Sequence, residues 1–304
     1  MAISRAQLVK ELEPGLNALF GLEYKRYENQ HAEIYTTESS DRAFEEEVML
    51  SGFANANVKV EGSGVAYDEA QETYTARYTH DTLALAFSIT EEAIEDNLYD
   101  RLASRYTKAL ARSMSNAKQV KAVTPLIDGL PSTDGYDSGD GVSLFNTSHT
   151  TVSGTAVKNT LTTQADLNET SLEQALIDIA AMTDERGLRV AARGVKMIIP
   201  SANQFNAERL MKSQGRTGTA DNDINAVASM GMIPQGYRVN NFLTDSDSWY
   251  IMTDVPNGMK MFQRAALKTA MEGDFDTGNV RYKARERYSF GVSDFRGIFG
   301  VEGA

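Results

Sequence analysis

Residues 88–121 read SITEEAIEDNLYDRLASRYTKALARSMSNAKQVK and contain neither glycine nor proline. Ser88 and Glu91 have the spacing of a capping box at a helix start, and Pro125 is expected to end the helix. Acidic residues are concentrated in the first half and basic residues in the second, an order that complements the helix dipole. At a rise of about 1.5 Å per residue, the predicted helix is roughly 50 Å long. Its apolar side chains recur every three or four residues on one face: Ile94, Leu98, Leu102, Tyr106, Leu110, Met114 and Ala117.

Composition and charge narrow the possible classes of protein. The 304 residues are 41% hydrophobic, enough for one large domain or two ordinary ones. The net charge is -12, and an acidic surface repels the phosphates of nucleic acid, so sequence-specific nucleic-acid binding is disfavoured. The absence of cysteine excludes disulfides, thiol catalysis and thiolate metal sites. Because no membrane span or signal peptide is recognisable, we expect a soluble protein made in the cytoplasm.

The first residues predict an arm. A weak amphipathic helix over residues 4–12 is expected to break at Pro14 and Gly15. Such a segment is too short to bury itself, so it either docks on its own domain or lies on another chain. A second apolar cluster follows the break: Leu16, Leu19, Phe20 and Leu22.

In residues 45–87, apolar and polar side chains alternate with a period of two, which predicts strands with one covered face. They form a predicted hairpin of about forty residues placed directly before the long helix. A two-stranded ribbon is only marginally stable in water, so this hairpin must rest on its own domain or on another chain. The alternating apolar positions are Val58 and Val60, then Tyr74, Ala76 and Tyr78, then Leu83, Leu85 and Phe87.

The chain after the long helix mixes helices and strands, which indicates an α+β module. Thr170 and Glu173 suggest a capping box for the first of its helices, and Gly187 a stop after it. Phe205 and Leu210 are expected to point into the core. The predicted elements are a helix at 171–186, a strand at 195–200, a helix at 202–213, a loop tip at 216–223, a helix at 223–230 and strands near 237–243 and 248–253.

Residues 279–300 predict a long strand with a basic outer face. Every second residue is apolar apart from Glu286, and four cations occupy the other parity: Arg281, Lys283, Arg285 and Arg287. These cations could face nucleic acid. They could instead meet the acidic first half of the long helix or an acidic edge of a neighbouring chain. We favour the contact with protein, because the chain as a whole is so acidic.

No catalytic constellation is present in the sequence. His31, His80 and His149 lie far apart and are expected to be ordinary surface or hairpin residues. Residues 137–141, DSGDG, resemble the nucleophile loop of serine proteases, but no histidine and aspartate can be assigned to them. Gly62-Ser63-Gly64 lacks the third glycine of a dinucleotide site.

Two pairs of aspartates raise the question of a calcium site. Asp221 with Asp223 lacks the turn glycine and closing glutamate of an EF-hand loop, and Asp245 with Asp247 is explained more simply by loop capping. We therefore predict no catalytic, cofactor-binding or metal-binding residues, no cofactor and no enzymatic activity.

The order of these parts resembles the major capsid protein of tailed bacteriophages, with the Hong Kong 97-type fold. The resemblance covers nearly the whole chain and rests on the joint order of the parts rather than on one motif. Four stretches are similar to that family: NALFGLEYKRYENQHAEIYTTESSDRAFEEEVMLSGF (17–53), GVSLFNTSHTT (141–151), VKMIIPSANQFNAERLM (195–211) and ERYSFGVSDFRGIFGVEGA (286–304).

The resemblance implies an α+β fold divided into five parts. The tip at 216–223 would lie at the centre of a hexamer or pentamer, and the hairpin would lie across the adjacent subunit. The parts are an N-terminal arm (1–44), an extended loop (45–87), the spine helix of a peripheral domain (88–125), an axial domain (126–264) and C-terminal strands returning to the peripheral domain (265–304).

The resemblance also implies a function. The protein would self-assemble into hexamers and pentamers of an icosahedral head that encloses double-stranded DNA, as a virion component assembled in the host cytoplasm. A portal and a separate scaffolding protein are the expected partners, with DNA contacted non-specifically at most and no membrane. Lys59 lies in the hairpin, but no motif assigns it to a crosslink between subunits. An encapsulin-type bacterial compartment shell is the alternative.

Overall fold

The structure is a computed structural model that describes residues 5–95, 99–133, 135–215, 223–274 and 277–304. The helices in these ranges are α1 (Arg5–Arg26), α2 (Glu91–Glu95), α3 (Tyr99–Asp128), α4 (Glu169–Ala181), α5 (Gln204–Lys212) and α6 (Ala226–Met230). The strands are β1 (Thr36–Ser39), β2 (Phe44–Leu50), β3 (Glu72–Thr79), β4 (Asp81–Ile89), β5 (His149–Thr150), β6 (Ala156–Val157), β7 (Gly194–Ile199), β8 (Tyr237–Val239), β9 (Trp249–Thr253), β10 (Met259–Gly273), β11 (Val280–Val292) and β12 (Ile298–Val301).

The N-terminal helix runs through Pro14 without a break, so the predicted interruption is wrong. A proline inside a helix costs about 3 kcal/mol. Leu16 and Phe20 follow it and are buried in a cluster with Leu110 of α3 and Tyr282 of β11, and their burial offsets that cost. The second half of this segment therefore docks on its own domain.

The long helix is present, with different ends from those predicted. Ser88 is the penultimate residue of β4 and pairs with Arg281, so it cannot cap a helix. Thr90 takes this place, since its Oγ1 accepts a hydrogen bond from the amide of Ala93 at 3.4 Å. Helix α3 continues through Pro125 to Asp128, because Leu126 beyond the proline is fully buried. Residues 96–98, between α2 and α3, lie outside the described ranges.

Helices α1 and α3 cover one face of a four-stranded sheet with the order β1-β10-β11-β4. On β11, Tyr282, Ala284 and Tyr288 are buried towards the helices. The intervening cations alternate with them and lie on the opposite face. The predicted period of two and the basic outer face of this strand are confirmed.

The hairpin is shorter than predicted. Strands β2 and β3 pair antiparallel from Phe44 with Thr79 to Leu50 with Glu72. The predicted strand at Val58 and Val60 is wrong, since residues 51–71 contain no strand. The sequence assigns residues 81–87 to the hairpin, but together with 88 and 89 they form β4 and pair with β11, because β11 supplies a complementary buried face.

The second module is built on the sheet β12-β9-β7-β8. We call this sheet, together with α4, α5 and α6, the axial module. Trp249 and Tyr250 of β9 are fully buried at its centre. Strand β12 pairs with β9 from Ile298 to Val301, so the last residues join this sheet and not the sheet of β11. The predicted return of all of 265–304 to the peripheral domain is therefore wrong.

Within the axial module most predicted elements are confirmed, with corrections at their ends. Helix α4 is capped by Asn168, whose side chain accepts a hydrogen bond from the amide of Ser171, and not by the predicted Thr170 and Glu173 pair. It ends at Ala181, five residues earlier than the sequence suggested, and residues 182–193 form turns and a bridge. Residues 216–222, most of the predicted loop tip, lie outside the described part of the chain. None of the described helices is long and apolar enough to cross a membrane.

Candidate functional site

Among the side chains that the structure describes, the most exposed apolar segment is the loop between β2 and β3, residues 51–71, which we call the projecting loop. Val58 is 95% exposed and Tyr67 is 98% exposed, and Phe53, Val60 and Val65 are also largely in solvent. The two ends of the loop meet, because the amide of Ser51 donates to the carbonyl of Gln71 at 2.8 Å. A run of exposed apolar side chains is typical of a segment that binds another protein surface.

The base of this loop is held firmly by a buried cation. Lys260 of β10 lies 2.5 Å from Glu47 Oε1 and 3.1 Å from Glu38 Oε1. Burial lowers the pKa of Lys260, but its bonds to the two carboxylates raise the pKa above its ordinary value. Ser293 bonds to both Glu47 and the hydroxyl of Tyr78, which ties both strands of the hairpin to the body.

No local pattern in the sequence singled out Glu38, Glu47 or Lys260. Glu47 and Lys260 are 213 residues apart in the chain. Only the pairing of β1 with β10, and the seating of the hairpin on the same sheet, brings these three charges together.

Two of the histidines tie segments together. The His80 ring bonds Ser40 Oγ at 2.9 Å and Ser289 Oγ at 3.0 Å, which connects the hairpin to β11. The His31 ring lies 3.0 Å from Gln119 Nε2, and burial lowers the pKa of His31 to about 4. His31 is buried and not on the surface, whereas His80 is buried directly after hairpin strand β3, and the two lie in separate clusters.

The DSGDG stretch, residues 137–141, contacts the third histidine, His149. His149 Nδ1 lies 2.6 Å from Asp140 Oδ2, and the hydroxyl of Ser138 donates to the other oxygen of Asp140. No pattern in the sequence indicated that these residues pair. In a catalytic triad the histidine stands between serine and acid, whereas here the acid stands between serine and histidine. His149 is fully buried and stacks on Phe295 at 3.8 Å, so this cluster supports the fold and presents no nucleophile.

The acidic pairs form no metal site in the part of the chain that the structure describes. Asp245 Oδ1 accepts the amide of Asp247 at 3.1 Å, as expected for a loop cap. Asp223 lies next to residues outside the described ranges, and these include Asp221. Across the described ranges, no three histidines or carboxylates are grouped to hold a metal ion.

The cations of β11 form a basic surface on the face of the sheet away from the helices, which we call the open sheet face. Lys283 and Arg285 are exposed on it, and Lys268 of β10 pairs in register with Arg285. Arg281 bonds Asp274. Helix α3 packs on the other face. The side chains of 94–102, which include much of the acidic half of the long helix, lie outside the described ones, so the contact with that half stays a prediction beside the alternatives of a neighbouring chain and nucleic acid.

Comparison with known proteins identifies the family. The family model described as phage capsid protein matches residues 72–301. This chain belongs to that family. No curated protein sequence matches the chain. The protein is thus a structural capsid subunit of the virion, of the kind found in tailed phages, as the resemblance predicted.

Solved structures show the same fold at low sequence identity. The procapsid protein of bacteriophage JBD30 matches with a TM-score of 0.55 and 14% identity, over 99% of this chain and 77% of that chain. The capsid of an empty GTA particle matches with a TM-score of 0.54 and 13% identity, over 90% of this chain and 89% of that one. The mixed helix and strand architecture of this capsid protein is the Hong Kong 97-type fold.

A virus-like particle from Pyrococcus furiosus also shares the fold. It matches with a TM-score of 0.52 and 11% identity, over 94% of this chain and 98% of that chain. Fold likeness by itself therefore does not separate a phage head from another shell. The family match to phage capsid proteins favours the phage head over the encapsulin-type alternative.

Proposed function

We propose that this capsid protein forms the hexamers and pentamers of an icosahedral head that encloses double-stranded DNA, and that its projecting loop lies across the adjacent subunit. The exposure of Val58 and Tyr67 supports this proposal, because a solitary chain leaves these side chains in water. The charged base at Lys260 supports it too, since a loop held at a fixed root loses less conformational entropy when it binds.

We propose a role for each part of the chain. Residues 1–44 act as the N-terminal arm and the hairpin of β2 and β3 as the extended loop. Helix α3 is the spine of a peripheral domain with the sheet of β11. The axial module faces the centre of each hexamer or pentamer, with residues 216–223 nearest to the symmetry axis.

The proposed partners are further copies of the chain, a separate scaffolding protein and a portal. The packaged DNA is contacted non-specifically at most, which agrees with the net charge of -12. We propose that the protein carries no catalytic activity and needs no cofactor, since assembly is accomplished by many modest contacts between copies.

Shortening the projecting loop tests this proposal. Replacing residues 52–70 with Asn-Gly joins Ser51 to Gln71 by a two-residue hairpin turn, which suits the hydrogen bond these residues already share. We expect a folded monomer by circular dichroism and no shells by electron microscopy. Shells of normal size from the shortened chain would refute the role of the loop.

Two milder variants keep the length of the loop and test its apolar contacts alone. Val58→Ser with Tyr67→Ser removes apolar area at the two most exposed apolar positions and is expected to reduce shell yield at least tenfold, as about 1.4 kcal/mol per contact would. Glu61→Gln, at the tip of the same loop, is the control and is expected to assemble normally.

A further inference from the structure

The axial module contains an apolar groove at the amino end of β7. Its volume is about 570 Å³, and its walls include Leu176, Ala191, Val195, Met230 and Met232. Met230, at the end of α6, is 71% exposed. Methionine side chains adapt their shape to an inserted group, so this groove is suited to receive a large apolar side chain.

The same module presents one large aromatic side chain to solvent. Phe205 in the first turn of α5 is 72% exposed, although the sequence predicted that it points inward. Ala207 and Leu210 are the buried residues of this helix and dock it on the module. Phe205 therefore adds nothing to the packing of α5 and stands outside it as a knob.

The knob and the groove lie at opposite ends of one strand. Gly194 and Val195 at the amino end of β7 line the groove, whereas α5 begins beyond the carboxyl end of β7 at Ile199. Six residues of strand separate them by roughly 17 Å at about 3.3 Å per residue. One molecule thus cannot fill its own groove with Phe205, but a second copy can.

The charges beside the knob and the groove allow the same contact. Arg209 is exposed and follows Phe205 by four residues, so it lies on the same side of α5. Asp254 is exposed on the rim of the groove, and its Oδ1 accepts the amide of Arg193 at 2.8 Å. Arg193 lies on that rim too, and α5 also carries Glu208. Glu208 pairs with Lys212 of the same helix at 2.8 Å, so both sides carry charges of each sign, with Arg209 beside the knob and Asp254 beside the groove.

We infer that Phe205 of one subunit inserts into the groove at Met230 of the next subunit, around each ring of the head. A contact between two different patches of identical chains is heterologous, and its repetition closes a ring. The inference rests on the proposed function, names the partner as a second copy of this chain and assigns the contact to the axial module rather than to the projecting loop.

Engineered disulfides test the contact, because the chain contains no cysteine of its own. The double variant Phe205→Cys/Met230→Cys is purified as assembled shells, oxidised and run on a non-reducing gel. We expect a ladder of covalent oligomers ending at closed rings. Each single variant, and a control that pairs Phe205→Cys with Val152→Cys, is expected to give no ladder.

The outcomes separate this inference from the proposed function. Shells that assemble but show only the monomer band in the double variant would overturn the inference and leave the capsid function intact. The same result would follow if a small molecule or an unrelated protein occupied the groove.

If the cysteine variants do not assemble, a charge exchange decides the question. Phe205→Asp alone is expected to give a folded chain that forms no shells, and adding Met230→Arg to it is expected to restore shells to at least half the normal yield. Failure of this rescue, with both chains folded by circular dichroism, would contradict the inference.

Discussion

Lys118 of α3 lies 3.3 Å from Glu286 of β11, with both side chains buried between the helices and the sheet. The hydroxyl of Tyr24 on α1 also points at this carboxylate, at 3.5 Å. Burial raises the pKa of Glu286, and the charge of Lys118 opposes that rise. Glu286 is the one charged residue among the alternating apolar positions of β11. It connects α1, α3 and β11, which are far apart in the chain.

Removing the lysine should destabilise the fold strongly. We expect Lys118→Met to lower the free energy of unfolding by about 3–5 kcal/mol, because it leaves the carboxylate of Glu286 buried without its cation. The loss should shrink as the pH falls, since the raised pKa of Glu286 lets it become neutral in the folded state first. Urea denaturation at several pH values measures both effects.

The matched control replaces both charges. Lys118→Met combined with Glu286→Leu buries no charge, so this variant should recover most of the stability that Lys118→Met loses. If the single and double variants were equally unstable at neutral pH, the loss would come from packing and not from the unpaired carboxylate.

Asp140 predicts a second dependence on pH. Burial alone would raise the pKa of Asp140, but the hydrogen bonds from His149 and Ser138 bring the pKa below its ordinary value. A lowered pKa contributes stability above the unfolded value of about 3.9, and this contribution is lost as the pH falls through the folded value. Asp140→Asn should therefore cost about 1–3 kcal/mol at neutral pH and less in acid.

Thermal melts of both proteins between neutral pH and about pH 3 check this prediction. Ser138→Ala serves as the comparison, because it removes one donor to Asp140 and leaves the bond from His149. A difference between Asp140→Asn and the unchanged protein that stays constant with pH would contradict the assignment.

The open sheet face predicts a role in assembly. We expect a variant with Arg281, Arg285 and Arg287 changed to Gln, and Lys283 kept, to fold normally but to yield at least tenfold fewer shells. The physical reason is the loss of attraction to acidic side chains of a neighbouring subunit. Electron microscopy and light scattering of the purified protein measure the yield.

The control removes equal charge elsewhere. Arg105, Lys108 and Arg112 are exposed on α3, and their replacement by Gln should leave shell yield unchanged. If the variant of the open sheet face assembled normally but retained less DNA, the cations would contact nucleic acid instead of a neighbouring subunit.

Local sequence patterns correctly predicted the elements that have a regular periodicity. The alternation of β11, the buried strand β7 and helix α5 were all legible, because each pattern is repeated over several residues in a row. Two of the misplaced ends share one cause. Pro14 and Pro125 are local stop signals, and both were overridden by burial of the side chains that follow them.

The amino-acid sequence by itself determined the order of the parts, the long helix, the basic strand and the resemblance to phage capsid proteins. Only the tertiary structure placed Glu47 beside Lys260, Ser138 and His149 on either side of Asp140, and β12 in the axial sheet. It also turned Phe205 outward. The physical reason is that periodicity reports which face of an element is covered, whereas the identity of the covering residues depends on chain segments that pack together from far along the sequence.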